Sequence, residues 1–306
     1  MAKTRKKDSP IDFDFEIVKE KLYANKEFGS IDDLIDFNEK TWGDDIHAES
    51  ESWACGGSDV ECNTFKKSDK LLMAGDCTND LSARIEKLRA ELELGGLYDL
   101  PQGFKSCKRR RVFSDDGDEV DIDRYLADDC DLWQTTKRDG KKEFVTLGIN
   151  IGMSHGNSAD NFAQNSALAY CTAEILEQMG YGVEIKITAS GWASCNGQYL
   201  KNVYGITAEN SDDLIDYWDS ETAVTFTCKQ FSEPLDLRAI ASSAIPALFR
   251  KYVFHAFKTF FGGLGNAKET TKKQLDLIGI NVLIANQWKD GEQLNFVEKI
   301  LQDLQD

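Results

Sequence analysis

Residues 144–189 restrict the fold more tightly than any other segment. Residues 144–151 (FVTLGINI) are an almost unbroken apolar run of strand length. A Gly-Ser-Asn segment follows at 152–158. A helical pattern then runs over 158–179 and is closed by Gly180, and 183–189 (VEIKITA) alternates as a strand does. Strand, loop, helix and strand over about 45 residues is the length of a βαβ unit. A strand that is apolar throughout must be covered on both faces. The pattern continues with a strand at 223–228 (AVTFTC) and helix over 235–261, interrupted or started at Pro246. A last buried strand follows at 277–285 (LIGINVLIA), then an amphipathic helix at 292–304. These elements predict an α/β fold of three layers, with a mostly parallel central sheet flanked by helices.

The first 143 residues have a different texture. They hold 24 Lys/Arg and 34 Asp/Glu, and the charges come in blocks. A short helix is expected at 30–37, where Ser30 can cap it. A longer one is expected at 81–94, where Leu81, Ile85, Leu88 and Leu92 share a face and Gly95-Gly96 stops the helix. Residues 43–80 are polar and read as loops. The expected organisation is a helical, loop-rich N-terminal region, 1–143, packed against an α/β domain, 144–306.

Charge excludes some functions. With 36 Lys plus Arg against 53 Asp plus Glu, the net charge is −17. A generic nucleic-acid coat needs the opposite balance, although a local basic patch is compatible with it. No apolar run approaches the roughly 20 residues of a membrane helix. The basic start MAKTRKKDSP leads into polar and acidic residues, not into the apolar core of a secretory signal. The eight cysteines then read as reduced thiols, with Cys171, Cys195 and Cys228 as small buried apolar residues. A cytoplasmic location without membrane contact is expected.

The loop after the first strand carries the sharpest motif. Gly152-Met153-Ser154-His155-Gly156 has the G-x-S-x-G form of a nucleophile elbow. A Ser154 hydrolase would also need a base. The histidine well downstream, His255, sits in an aromatic-rich helical stretch and reads as packed. The same loop can be compared with the D-x-S-x-S metal loop of von Willebrand A-type domains. Asn150, Gly152 and Ser154 stand at the ligand positions, and a neutral amide and a bare glycine offer a hard cation little. What remains is an open recognition loop. The expected partner-binding residues are Asn150, Gly152, Ser154, His155 and Asn157, with Ser190, Ser194 and Asn196 from a loop after the next strand.

Other clusters say less. His47, Cys55, Cys62 and Cys77 lack the short Cys pairs of a structural zinc site. The acidic run at 115–123 lacks the order of a calcium loop. Lys105, Lys108, Arg109, Arg110 and Arg111 form a cationic knot just before it. The knot can pair with that run, or contact phosphate or an acidic partner. No metal, cofactor or catalytic residue is expected.

Several motifs in order resemble a known family. Residues 118–129 (DEVDIDRYLADD) resemble an Asp-Val-x-Arg-Tyr-Leu-Ala-Gly-Asp signature, with Asp128 in place of its glycine. Ile149-Asn150-Ile151, Gly180-Tyr181-Gly182-Val183-Glu184, Glu233-Pro234-Leu235-Asp236-Leu237 and 245–250 (IPALFR) also fit. The chain resembles an uncharacterised tailed-bacteriophage family with a von Willebrand A-like or Rossmann-like domain. That resemblance implies a phage protein in the host cytoplasm. Its expected role is non-enzymatic: binding another phage or host protein, an AAA+ ATPase being one such partner. The alternatives are a modulator of nucleic-acid transactions, by binding or by charge mimicry, and a serine hydrolase using Ser154.

Overall fold

The structure is a computed structural model. It describes residues 13–18, 21–42, 78–98, 108–114, 119–120, 133–139, 143–152, 159–204, 217–244, 248–261, 266–284, 288 and 291–304. The elements in chain order are β1 (Asp14–Val18), β2 (Lys21–Phe28), α1 (Ile31–Trp42), α2 (Thr78–Leu94), β3 (Lys108–Ser114), β4 (Glu119–Val120) and β5 (Trp133–Asp139). Then come β6 (Phe144–Asn150), α3 (Ala159–Gln178), β7 (Gly182–Asn196), α4 (Gly197–Tyr204), β8 (Tyr217–Lys229), α5 (Leu237–Ala241) and α6 (Phe254–Phe261). The chain closes with β9 (Asn266–Lys268), α7 (Lys272–Ile278), β10 (Val282–Ile284) and α8 (Glu292–Asp303). A 3-10 turn (Ser242–Ala244) and a π-helical turn (Leu248–Val253) lie between α5 and α6.

The βαβ unit forms as its pattern requires: β6 and β7 are parallel, joined by α3. The main sheet runs β1-β2-β8-β7-β6-β10, and three of these five pairings are parallel. β9 also pairs β7, antiparallel. The fold is α/β, a mostly parallel sheet flanked by helices.

Strand alternation divides the sheet into two unlike faces. One carries Leu147, Ile149, Ile187, Ala189, Val224, Phe226, Leu22 and Ala24, all buried in the core with α3 and α6. Gly191 belongs to this face. A Cβ there would lie 3.0 Å from the Phe257 ring of α6, so the close approach requires glycine. The opposite face is polar: Asn150 and Thr146 from β6, Lys186, Thr188 and Ser190 from β7, and Glu221 and Thr225 from β8. α7 lies on it, where Lys186 Nζ donates to the Ile278 carbonyl at 3.3 Å. Lys273 of α7 sits 4.3 Å from the Tyr23 ring centroid of β2.

Three expectations change. First, the N-terminal part is not only helices and loops: β1 and β2 are strands of the main sheet, and β2 pairs β8 in parallel register from Lys21↔Asp219 to Phe28↔Phe226. Tyr23, Asn25 and Glu27 were unreadable as strand because their face meets polar neighbours. Second, the last strand is much shorter than 277–285. Leu277 and Ile278 end α7, which starts at a Thr271–Gln274 capping box and stops at Gly279 with φ of 70°. Cap chemistry outweighed the apolar run. Third, β7 continues seven residues past Ala189.

The helix expected at 81–94 forms as α2, and Leu81, Ile85, Leu88 and Leu92 are buried as its spacing requires. It packs on α3. Arg89 donates to both Glu174 carboxylate oxygens, at 3.0 and 2.9 Å, and the Tyr98 hydroxyl donates to the same carboxylate at 2.7 Å. Burial, then the Glu174 bond, push the Tyr98 phenol well above its ordinary value. Burial also pushes the Cys171 thiol beneath up to about 12.

Lys108, Arg109, Arg110 and Arg111 of the cationic knot lie in a strand. β3, β5 and β4 form a separate antiparallel sheet in that order. Its register sets Arg109 opposite Arg138 and Arg110 opposite Lys137, with Lys108 opposite Asp139. Like charges directly opposite each other destabilise a strand pair. β4 pairs only with Gln134 and Trp133, at the other end of β5. That middle part of the acidic run, Glu119–Val120, is therefore held about 13 Å along the strand from Arg138, at about 3.3 Å per residue.

Candidate functional site

The candidate site is where β6 ends. Asn150 is the last residue of β6 and is buried; its Oδ1 accepts the Gly152 amide at 2.9 Å, which turns the chain off the sheet. Ile151 still donates its amide to the Thr188 carbonyl of β7 at 2.9 Å. A Cβ on Gly152 would meet Asn150 Oδ1 at 3.0 Å and the Ser190 amide at 3.1 Å, so the turn lies tight on β7. Ser154, His155 and Asn157 fall outside the described residues, as do His47, Cys55, Cys62, Cys77 and Lys105.

Where β6 leaves, β9 takes its place. β7 bonds β6 up to Thr188 and bonds β9 from Ser190 to Trp192. On its other edge β7 stays paired with β8 out to Asn196↔Tyr217. The segment 190–196, expected as a loop, is thus the outer part of a long two-stranded ribbon. The residues expected there separate accordingly. Ser190 is buried, and its hydroxyl donates to Thr270 Oγ1 at 2.9 Å. Ser194 and Asn196 are exposed at the tip of the ribbon. Only the apolar half of β7, 183–189, announces a strand; the polar half is held by pairing.

A buried carboxylate under this ribbon had no sequence signal. Glu221 pairs in register with Trp192 and Tyr23, and its side chain is 1% exposed. Lys21 Nζ donates to Glu221 Oε1 at 2.5 Å, and Lys268 of β9 donates to the same oxygen. Glu221 Oε2 has no hydrogen-bond partner among the described residues. Burial works to raise the pKa of this carboxyl, but the two lysine bonds outweigh burial and hold it below the usual carboxylate range. The neighbouring hydroxyls bond one another, as in the 3.1 Å contact between Thr188 and Thr225.

Glu221 is kept ionised and held by lysines, so it is a poor proton donor. His255 is buried in α6 at 1% exposure, on the helix that packs against the apolar face. Among the described residues, no group of three His, Cys, Asp or Glu side chains could hold a metal ion. No described helix is long and apolar enough to cross a membrane.

No curated protein and no solved structure matches the chain. One family model does, described as a domain of unknown function (DUF7192), over residues 16–305. The match begins in β1 and ends just after α8, so it spans both the N-terminal strands and the βαβ unit. The chain belongs to this family, whose defining domain has no assigned function.

Proposed function

We propose that the chain is a non-enzymatic bacteriophage protein of the host cytoplasm, with a von Willebrand A-like domain, that binds another protein. The contact surface proposed is the tip of the β7–β8 ribbon, with Ser194 and Asn196; the segment that leaves β6 through Asn150 and Gly152, carrying Ser154, His155 and Asn157, is proposed as a second contact. One observation carries the reading. The ribbon extends past the end of β6, presenting exposed small polar residues on a scaffold in which one Glu221 oxygen is held by Lys21 and the Ser190 hydroxyl is bonded to Thr270. Rigid elements that position a loop at the carboxyl edge of a sheet are the usual setting for such contacts. An AAA+ ATPase is one partner that would fit an adaptor of this fold, by analogy alone.

The test is a pull-down of the tagged full chain from infected cells, with and without nuclease. The Ser194→Arg/Asn196→Arg variant serves as control. A protein partner that survives nuclease and is lost in the variant, with an unchanged melting curve, is the expected result. Ester hydrolysis that disappears in Ser154→Ala would overturn the reading.

A further inference from the structure

The strongest unexplained feature is the small sheet. At its outer end, Lys108, Arg109, Arg110 and Arg111 of β3 face Asp139, Arg138, Lys137 and Thr136 of β5. Six cations stand in eight positions with one carboxylate, in a chain of net charge −17. Four of the chain's ten arginines are here. Two cross-strand pairs oppose like charges, although 53 acidic residues were available to alternate with them. A sequence selected for stability alone would place Glu or Thr opposite Arg109 and Arg110. Among the described residues, β4 pairs only at the other end of β5, so the cationic positions fall where this sheet is two-stranded.

Alternation gives both faces of the ribbon the same character. Arg109, Arg111 and Arg138 share a face with Phe113; Lys108, Arg110 and Lys137 share the other with Trp133. We infer that this ribbon binds the phosphate backbone of a nucleic acid. Guanidinium groups match phosphate oxygens in a two-pronged geometry, and a polyanion offsets the like charges that the register sets opposite one another. An aromatic residue in line with the cations on each face suits stacking on unpaired bases. A two-stranded ribbon also has the width of a duplex major groove. The net negative charge of the rest of the molecule repels the same ligand, so binding is local and depends strongly on salt. The ribbon is separate from the proposed protein-binding edge, and either proposal can fail without the other.

Fluorescence anisotropy of the full-length protein with a single-stranded and a duplex oligonucleotide, each about 20 nucleotides long, tests this across about 50–200 mM salt. The variant is Arg109→Gln/Arg110→Gln/Arg138→Gln. The charge-matched control is Lys40→Gln/Lys201→Gln/Lys299→Gln, three exposed cations outside the ribbon. The expected result is salt-sensitive binding that falls at least about tenfold in the ribbon variant, with a salt slope smaller by about two to three. The control should bind like the native chain. The ribbon variant should melt no lower than the native chain, because it loses the opposed charges. Preference for the single strand assigns stacking to Phe113 and Trp133, and preference for the duplex assigns groove insertion. No binding to either probe at the lowest salt overturns the inference. So does equal loss in ribbon variant and control, or equally tight binding of poly-glutamate, which would make the ligand an acidic protein.

Discussion

At the scale of single residues, the informative feature is how the structure handles buried polarity. Glu221 is held by two lysines that each keep about a third of their side chain in solvent. Glu221→Gln keeps the shape and removes the charge that Lys21 and Lys268 share. We expect a loss of about 1–3 kcal/mol at neutral pH, measured by urea unfolding, less than for a fully buried pair because the lysines can turn outward. The pH dependence has a definite sign. The folded pKa of Glu221 lies below its unfolded value, so its contribution is complete above the unfolded value near 4.3 and fades as pH falls through the folded one. The native chain and Glu221→Gln should therefore differ most at pH 7 and draw together as the pH falls through and below the usual carboxylate range. A constant difference across that range would show that the charge is not what matters.

At the scale of elements, legibility in the sequence followed the hydrophobic pattern. β6, α3, the inner half of β7, α2 and α8 announce themselves because one face or both meet the core, and a period of 2 or 3.6 survives in the letters. β2, the outer half of β7 and the first residues of β8 do not. Tyr23, Asn25, Ser190, Thr188 and Glu221 face one another across a polar layer, and their pairing is set by neighbours far away in the chain. The site was legible only in part for the same reason. Asn150 and Gly152 stand where a strand-to-loop turn predicts them, whereas Glu221 looks like any surface glutamate until β2 and β9 bring lysines to it. The cationic knot was visible as composition, but not as a strand that meets more cations. The α2–α3 contact offers a direct test of element packing. Arg89→Ala should cost about 1–2 kcal/mol, since it strips Glu174 of a two-pronged, half-buried partner. Lys87→Ala on the same helix should change stability by less than about 0.5 kcal/mol, because its 3.9 Å pair with Glu91 is exposed. Equal effects in chemical denaturation would mean that the Arg89 contact does not fasten α2.

At the scale of the whole molecule, the two ends of the chain meet in one sheet. β1 and β2 cover the edge of β8, and β10 forms the opposite edge. Removing residues 1–28 would expose eight strand positions of β8, from Asp219 to Phe226, as an unpaired edge. Exposed edges of that length recruit other strands. The truncated protein should elute as dimers or larger species in size-exclusion chromatography; a monomer with the native melting point would show that β2 is dispensable. The same pairing sets a timetable for synthesis. Lys21 must wait for Asp219, about 200 residues later, and at about 5–20 residues per second that is about 10–40 s on the ribosome with Leu22, Ala24 and Phe28 still exposed. Over this interval the nascent chain carries apolar strand surface whose partner has not yet been made, and slower translation should lengthen that exposure.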